Sequence, residues 1–251
     1  MTTRVTNIFC HPIKSVGRAP LAEVLLAAGK TMPNDRVWAV EHEAGKFDPK
    51  NPAWVSCANF IRGAKAPSLV ALSIVQSGEN YTITHDGTGE SFTFNPNDPT
   101  QHPAFITFLA TFVPENRAQP KAVVKVPGRG MTDTDFPSIS ILSQTSLSAL
   151  AEAAGKAVEM ERFRGNIWFD GLPAWEERSW IGKRIRIGEV ELNVRENIGR
   201  CSATTANPVS GEQDVPTLKI LEQNWGHTDL GVYGEVITPG RVALDDRIEI
   251  L

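Results

Sequence analysis

Cysteine is scarce in this chain, and its cysteines are poorly placed for cross-linking. The 251 residues include three, Cys10, Cys57 and Cys201, which lie far apart and form no C-x-x-C pair. This odd number and wide spacing exclude a disulfide framework and a zinc knuckle. We also expect no iron–sulfur cluster within this chain, because such a cluster takes four protein thiolates.

Long apolar runs and an excess of positive charge are also lacking. No stretch approaches the roughly 20 apolar residues of a membrane span, and the N-terminal residues MTTRVTNIFCHPIKS contain no continuous apolar signal segment. With 25 Lys and Arg against 29 Asp and Glu, the net charge is −4. That charge does not favour duplex nucleic acid or an anionic membrane. We expect a cytoplasmic protein that binds neither.

The common nucleotide-binding and hydrolase motifs are missing. Neither G-x-G-x-x-G, G-x-x-x-x-G-K-[ST] nor G-x-S-x-G occurs, and the five histidines form no H-x-x-x-H or H-E-x-x-H pair. The sequence therefore gives no support to a phosphate loop, a serine hydrolase or a histidine-built zinc site.

Short alternating segments dominate what is present. Runs such as RVTNIF, LVALSIVQ and YTITHDG are separated by turn residues, a pattern typical of antiparallel barrels or sandwiches. RIRIGEVELNV predicts a hairpin that turns at Gly188. Its five apolar residues would face one side; they are Ile185, Ile187, Val190, Leu192 and Val194. We predict a mostly β fold with a few helices.

Three segments have the helical period instead. HPAFITFLATFVPE spaces its phenylalanine and leucine residues at helical intervals behind a proline that suits a first turn. SQTSLSALAEAAG offers Ser143 or Ser146 as the N-cap and Gly155 as the stop. TLKILEQNWG predicts a third helix, from Thr217 to Gly226.

A composition change suggests two domains. Residues 126–138, VPGRGMTDTDFPS, are rich in glycine, proline, aspartate and hydroxyl residues and have no periodicity. Such a segment is typical of a domain boundary. We expect two β-rich domains, residues 1–125 and residues 126–251.

Four polar clusters interrupt the strands. They are HPIKS (11–15), NDRVW (34–38), RFRGNIW (162–168) and GRCSATTANP (199–208). Three of them place a cation, Lys14, Arg164 or Arg200, beside neutral hydrogen-bond donors, and Arg36 adds a fourth positive charge. Each cation alone is more simply explained as a solvated charge. Together they suit one anionic ligand that is rich in oxygen.

Cys201 differs from the other cysteines in its neighbours. Arg200 precedes it and hydroxyl residues follow it, a setting that favours a reactive thiolate. Free cysteine is also a common buried residue, so a core thiol, a nucleophile and a metal ligand all stay open on chemistry alone. As a ligand it would be the only one from the protein, which indicates a metal held mainly by an organic cofactor.

Taken together, the clusters resemble the MOSC superfamily, named for the molybdenum cofactor sulfurase C-terminal domain. The likeness is to its two-part form with an N-terminal MOSC β-barrel domain, as in the mitochondrial amidoxime reducing component and its bacterial counterparts. It rests on the order and spacing of HPIKSVG, NDRVWAV, PSISILSQTSLSAL, RFRGNIW, IGRCSATTANPVSG and TLKIL. The resemblance implies an N-terminal MOSC β-barrel-like domain followed by a MOSC β-barrel domain.

The resemblance also implies a molybdenum–molybdopterin cofactor and the residues that hold it. Cys201 would be the thiolate ligand of molybdenum and the catalytic residue, and a soft sulfur ligand suits this metal. The positions that match the family's contacts to the pterin and its phosphate are Lys14, Ser15, Arg36, Ser143, Arg164, Asn166 and Arg200. Ser143 keeps its second interpretation as a helix cap, because both contacts can occur at one helix start.

By the same resemblance, the chain is an oxidoreductase that reduces amidoximes, hydroxylamines and N-hydroxylated bases by oxygen-atom abstraction at molybdenum. Gly199 stands where the mitochondrial proteins usually have serine, so a hydrogen bond near the metal is expected to be missing. Many bacterial relatives carry a C-terminal ferredoxin domain that this sequence lacks. We therefore expect a separate electron-donor protein of the ferredoxin, flavin or cytochrome type.

Other functions fit parts of the sequence. A cofactor carrier, or a sulfur-transfer protein in which Cys201 holds a persulfide, would need the same cations and the same cysteine. A cysteine hydrolase would need a partnered histidine that the sequence does not reveal. A β-barrel binding module without a cofactor would leave Cys201 with no role.

Overall fold

The computed structural model describes residues 3–251. Within that range it has fifteen strands, three α-helices and six short 3-10 helices. The strands are β1 (Arg4–Cys10), β2 (Ala19–Leu21), β3 (Glu23–Leu26), β4 (Trp38–His42), β5 (Leu72–Ser77), β6 (Asn80–His85), β7 (Ser91–Phe94), β8 (Pro120–Lys125), β9 (Ile139–Ser143), β10 (Ile167–Asp170), β11 (Arg184–Ile187), β12 (Val190–Gly199), β13 (Asp229–Thr238), β14 (Gly240–Ala243) and β15 (Ile248–Ile250). The α-helices are α1 (His102–Ala110), α2 (Gln144–Ala154) and α3 (Thr217–Trp225), and the 3-10 helices are Cys57–Asn59, Pro67–Ala71, Pro99–Gln101, Met160–Phe163, Glu176–Trp180 and Ser202–Thr205.

One eight-stranded sheet forms the larger part of the fold, in the order β15-β11-β12-β13-β9-β10-β1-β2. Its neighbouring strands are antiparallel except β9 and β10, which are parallel. Parallel neighbours need a crossover connection, and α2 lies in the chain between these two strands. The mostly β fold with a few helices is confirmed.

The predicted hairpin is confirmed as β11 and β12. Ile187 lies opposite Val190, and Gly188 turns the chain with a φ of 56°, a conformation that favours glycine. All five predicted apolar residues are fully buried in the core of the eight-stranded sheet. Burying each of these side chains contributes roughly 1.5–3 kcal/mol, so this face fixes the register of the hairpin.

The first half of the chain forms two smaller sheets, one of three strands, β5-β6-β7, and one of two strands, β4-β8. Helix α1 packs against them through aromatic rings: Phe105 stacks on Phe94 with ring centroids 4.0 Å apart, and Phe108 stacks on Phe92 at 5.4 Å. Phe105 and Phe108 are residues that the helical spacing places on one face. The predicted first helix is therefore confirmed, but it ends at Ala110, so the last residues of the predicted segment lie beyond it.

The other two predicted helices are also confirmed, with their ends. The Ser143 side chain accepts a hydrogen bond from the Ser146 amide at 3.2 Å, and Gly155 ends α2 in the left-handed conformation at φ 65°. Helix α3 begins at Thr217 and its last residue is Trp225, followed by Gly226 as the C-cap with a φ of 71°. Local sequence signals decide both helices.

Strands from the two ends of the sequence are interleaved. β1 pairs with β10, and β3 pairs with β14, so the sheets cross the boundary predicted at residue 126. Alternation shows which face of a strand is buried but does not identify its partner. This pairing brings the clusters at residues 11–15 and 34–38 next to those of the second half.

Candidate functional site

Six of the eight residues that the sequence singles out line one cavity. Its volume is about 380 Å³, and segments from both halves of the chain form its wall. The six are Lys14, Ser15, Arg36, Arg164, Arg200 and Cys201. Ser143 and Asn166 do not line it.

Cys201 lies in the turn between β12 and the Ser202–Thr205 3-10 helix, and its side chain is exposed. Its carbonyl accepts hydrogen bonds from the Thr204 amide at 3.2 Å and the Thr204 hydroxyl at 3.1 Å. Thr204 in turn shares a buried 2.7 Å hydrogen bond with Thr217 at the start of α3. These hydrogen bonds fix the turn, and Cys201 itself is exposed and lines the cavity.

Backbone strain is concentrated at this cavity. Six non-glycine residues within residues 3–251 have a positive φ, and three of them, Ser15 at 63°, Arg36 at 51° and Arg164 at 49°, line the wall. Such conformations cost of order 1 kcal/mol or more each and persist where the surroundings enforce them. Three in one wall indicate that these side chains are pre-positioned.

Backbone hydrogen bonds hold the first two polar clusters side by side. The Lys14 amide donates to the Trp38 carbonyl, and the Arg36 amide donates to the His11 carbonyl, each at 2.7 Å. The Met131 amide donates to the Arg36 carbonyl, also at 2.7 Å, and joins the segment that precedes β9. Residues far apart in sequence therefore present their cations to one space.

Lys14 is almost completely buried and is held by two acceptors. Its Nζ donates to the Met131 carbonyl at 2.7 Å and to Asp133 Oδ1 at 2.6 Å. Partial burial opposes ionisation of Asp133, but Lys14 and then Arg36 outweigh it and lower the pKa of that carboxyl. Asp133 therefore stays charged and competes with any anion for Lys14.

Arg36 is fixed as a cation by a buried carboxylate. Its guanidinium donates to Asp35, which is wholly buried, and to the Arg164 carbonyl at 3.0 Å. Burial opposes the charge, but Asp35 raises the pKa of Arg36. Asp35 also accepts hydrogen bonds from the His11 amide at 2.8 Å and its Nδ1 at 3.3 Å. Burial lowers the pKa of His11 to about 3, so this histidine is neutral.

Arg164 carries a charge that the protein only partly compensates. Its guanidinium donates to the Gly17 carbonyl at 2.9 Å and to the Ile13 carbonyl at 3.3 Å, and within residues 3–251 it has no carboxylate partner. Burial, followed by repulsion from Arg36, lowers its pKa to about 9. The group is still cationic at neutral pH, and a bound anion would relieve the repulsion.

Arg200 ties the strand before Cys201 to its neighbours. Its Nε donates to the Leu230 carbonyl and its Nη1 to the Phe163 carbonyl, each at 2.9 Å, and the guanidinium lies 5.4 Å from the centroid of the Phe163 ring. Burial lowers the pKa of Arg200 to about 10. It lines the cavity, yet most of its donors are already used by the backbone.

The two residues outside the cavity wall have structural partners. Ser143 is fully buried as the cap of α2. Asn166 Oδ1 accepts from the Ser140 amide at 3.1 Å and from its hydroxyl at 2.8 Å, and Nδ2 donates to the Phe9 carbonyl at 3.2 Å. Ser140 does line the cavity, so Asn166 is placed to position Ser140 rather than a ligand.

Sequence reasoning missed several residues of the wall, including Asp133, Arg162, Asn197 and Tyr233. Asn197 Oδ1 is buried and has no hydrogen-bond partner within residues 3–251. Asn197 lies in the part of β12 after Val194, where the alternation breaks and the pairing register with β13 shifts. Such bulges re-aim side chains near functional sites, so the broken alternation was the available signal.

Arg162 braces the turn that carries Cys201. It is buried and donates to both oxygens of Asp214, at 2.7 and 3.2 Å, and to Glu159 at 2.6 Å. A further hydrogen bond of 3.2 Å reaches the Thr205 carbonyl. With its donors shared among these partners, Arg162 stabilises the wall rather than binding a ligand.

Gly199, where the resemblance leads us to expect a serine in the mitochondrial proteins, has room for a side chain. A Cβ added there would meet the Asp229 carboxylate at 3.8 Å, an ordinary contact.

The described part of the chain contains no group of three or more His, Cys, Asp or Glu side chains that could hold a metal ion. No helix among residues 3–251 is both long and apolar enough to cross a membrane.

Comparison with protein families assigns both halves of the chain. Residues 2–111 match the MOSC N-terminal beta barrel domain, and residues 131–249 match the MOSC domain. The matches leave unassigned residues 112–130, which include part of the segment predicted as a boundary.

Curated relatives match over a limited stretch. The rat mitochondrial amidoxime reducing component 2 is 36% identical over 89 residues, which are 34% of this chain and 26% of that protein. The human protein of the same name is 35% identical over 89 residues, and the Xenopus laevis amidoxime-reducing component 1 is 33% identical over 94. The match thus spans about a quarter of the length of these relatives.

A solved structure extends the likeness in fold to the whole chain. The YUAD protein from Bacillus subtilis aligns over 100% of this chain and 96% of its own, with a TM-score of 0.50 and 16% sequence identity. At that identity the alignment concerns the fold alone.

Proposed function

Since this chain belongs to the MOSC family, with an MOSC N-terminal beta barrel domain followed by an MOSC domain, we propose that it is a molybdenum-cofactor-dependent reductase of N-hydroxylated compounds. The observation that carries the proposal is the exposed thiol of Cys201 in the same cavity as buried cations. The relatives named as amidoxime reducing components support the reaction class. The substrates would be amidoximes, hydroxylamines and N-hydroxylated bases.

The residues present fit a molybdopterin cofactor. Lys14, Arg36 and Arg164 line the cavity and can donate to its phosphate, and charge-assisted hydrogen bonds of this kind are the strong ones. Arg164 is the one of the three without a carboxylate partner within residues 3–251, since Asp133 pairs with Lys14 and Asp35 with Arg36. Ser15 lines the same wall and adds a hydroxyl. The unpartnered Oδ1 of Asn197 suits an N–H donor of a pterin ring.

Cys201 would supply the protein's thiolate to molybdenum. Its exposure leaves the sulfur accessible to a metal, and the buried hydrogen bond beneath its turn fixes its position. When bound, the cofactor supplies two-electron oxygen-atom chemistry. The chain's own residues hold the anionic end, fix the sulfur and leave the solvent side of the cavity open to substrate.

The proposed reaction needs an electron donor. We propose a separate protein of the ferredoxin, flavin or cytochrome type, and a cytoplasmic location for both. Reduced methyl viologen can replace that donor in a test, because a small dye needs no docking surface.

The first experiment measures the molybdenum and phosphorus content of the protein purified from cells that make the cofactor. We expect about one molybdenum per chain in the unaltered protein and loss of the metal in Cys201→Ser. Cys57→Ser is the matched control, because Cys57 lines the same cavity without lying in the Cys201 turn. Absence of molybdenum under conditions that load another molybdoenzyme would refute the proposal.

A carrier or a persulfide sulfur-transfer protein is the second candidate, and the exposure of Cys201 also suits it. Turnover separates the two. The molybdenum-loaded protein should reduce benzamidoxime with reduced methyl viologen if it is a reductase. A loaded protein that does not turn over benzamidoxime would favour the carrier.

A further inference from the structure

A second cavity adjoins the first, and Arg62 lines both. Its volume is about 260 Å³, and we call it the side cavity. Its lining residues combine an apolar floor with a basic rim. The floor is Phe60, Ile61, Ala66 and Val113, all buried, and the basic residues are Arg62, Lys65 and Arg117.

The three cations of the side cavity lack acidic partners. No carboxylate within residues 3–251 lies within ion-pair distance of Arg62, Lys65 or Arg117, and the Arg62 side chain contacts Cys57 Sγ at 3.5 Å. Glu43, next to His42 in sequence, does not line the cavity and accepts a hydrogen bond from a backbone amide. Three cations without carboxylate partners around an apolar floor suit an organic anion.

His42 leaves a further polar atom without a partner in this wall. Its Nε2 donates to the Ala58 carbonyl at 2.9 Å, and its buried Nδ1 has no hydrogen-bond partner within the described residues. In that tautomer Nδ1 is an acceptor. Because this nitrogen is itself shielded from solvent, the groups of the side cavity that can reach a ligand are its three cations.

The side cavity opens next to the turn that carries Cys201. Ser202 Oγ donates to the Ala64 carbonyl at 3.3 Å, and a Cβ at Gly63 would meet Ala203 Cβ at 3.3 Å. The segment that begins with Arg62 thus packs directly on the residues that follow the thiol. These cations are distinct from the Lys14 and Arg164 group, whose hydrogen bonds go to other segments.

We propose that the side cavity is a subsite for the anionic end of the substrate, so that the preferred N-hydroxylated compounds carry a carboxylate on an apolar body. This inference rests on the proposed function. The apolar body lies on the floor formed by Phe60 and Val113. The carboxylate binds at Lys65 and Arg117, while Arg62 marks the passage toward Cys201. A neutral substrate of the same shape uses the floor but not the rim.

A matched pair of substrates tests the subsite. 4-Carboxybenzamidoxime and benzamidoxime share the ring and the N–OH group and differ by one carboxylate. With the molybdenum-loaded protein and reduced methyl viologen, we expect kcat/KM at least fivefold higher for the carboxylated compound. Arg117→Gln should remove most of that preference by raising the KM for the carboxylated compound, whereas Lys183→Gln should keep the preference and leave the turnover of benzamidoxime unchanged within twofold. Arg117 is exposed, and its side chain makes no hydrogen bond within residues 3–251, so this variant should fold.

Binding to the cofactor-free protein gives a readout that does not depend on turnover. Titration calorimetry with benzoate should show binding that weakens at least threefold in Lys65→Gln and in Arg117→Gln, while benzamide binds in none of these proteins. Lys183→Gln is the control, because Lys183 is exposed and lines neither cavity.

The outcomes separate this inference from the proposed function. Equal kcat/KM for the two amidoximes, or benzoate binding that Arg117→Gln and Lys65→Gln leave unchanged, would overturn the subsite. Benzoate binding that these variants weaken, in a protein that reduces neither amidoxime, would support an anion site while refuting the reductase. Weakened benzoate binding together with an unchanged substrate preference would overturn the link to the substrate.

Discussion

The guanidinium of Arg36 donates to the backbone carbonyl of Arg164 at 3.0 Å, across 128 positions of the sequence. Both residues have a left-handed backbone, and each comes from a different half of the chain. Asp35 neutralises Arg36, whereas Arg164 has only carbonyl acceptors. The contact therefore places cations from both halves of the chain in the wall of one cavity.

Arg164→Lys should weaken the contacts between Arg164 and the first half of the chain, although the positive charge is kept. A lysine cannot bond the carbonyls of Ile13 and Gly17 with the planar geometry of a guanidinium. We expect a loss of about 1–3 kcal/mol in the free energy of unfolding and a lower molybdenum content. Urea unfolding and metal analysis provide the measurements.

Arg195→Lys is the matched control for that variant. Arg195 is an exposed arginine paired with Glu235 at 2.5 Å, and pairs of this kind contribute about 1 kcal/mol or less. Equal stability losses in the two lysine variants would contradict the role given to Arg164.

Asp133→Asn should strengthen anion binding at the main cavity. The change removes a negative charge that lies 2.6 Å from Lys14 Nζ. Because half of the Asp133 side chain is exposed, solvent screens this interaction, and we expect a gain of only about 1 kcal/mol, or roughly fivefold in affinity. Calorimetry of pyrophosphate with the cofactor-free protein measures it. Unchanged or weaker binding would show that Asp133 does not compete with the ligand.

Ser143→Ala should affect stability and not the cofactor. The Ser143 hydroxyl accepts a hydrogen bond from the Ser146 amide at the start of α2. Losing such a cap lowers the free energy of unfolding by about 1 kcal/mol. We expect that loss in urea unfolding with an unchanged molybdenum content. A folded variant that has lost its molybdenum would instead support a cofactor contact at Ser143.

His11 should make the protein less stable in mild acid. Its pKa is lowered by burial to about 3, against 6.5 for an exposed histidine. Below pH 6.5 His11 binds a proton in the unfolded chain but stays neutral in the folded chain until the pH approaches 3. The stability present above pH 6.5 is therefore lost as the pH falls toward 3, by at most about 1.4 kcal/mol per pH unit.

His11→Asn tests the assignment by removing the titrating group. An asparagine can still donate to Asp35, so unfolding free energies at pH 7, 6, 5 and 4.5 should fall less steeply than in the unaltered protein. Parallel curves would place the acid sensitivity in other groups, among them Asp35, whose own pKa is lowered by Arg36 and His11 against the opposing effect of burial.

The sequence by itself determined the local structure. Helix α2 follows from the cap at Ser143 and the stop at Gly155, and the hairpin of β11 and β12 follows from alternation around Gly188, because caps, turns and periodicity act between near neighbours. The sequence also pointed to six residues that line the cavity, because their clusters combine cations, hydroxyl residues and a cysteine in an order that resembles a known family.

Only the tertiary structure decided which strands pair and which polar residues face the cavity. The pairing of β1 with β10 joins residues more than 150 positions apart, and alternation cannot select such a partner. Asn166 lies beside Arg164 in a polar cluster that suits a ligand, yet its hydrogen-bond partners are Ser140 and the Phe9 carbonyl. Asn197 and Arg62 reach the cavity through a register shift and through packing between segments. These depend on contacts between distant parts of the chain, which no local pattern records.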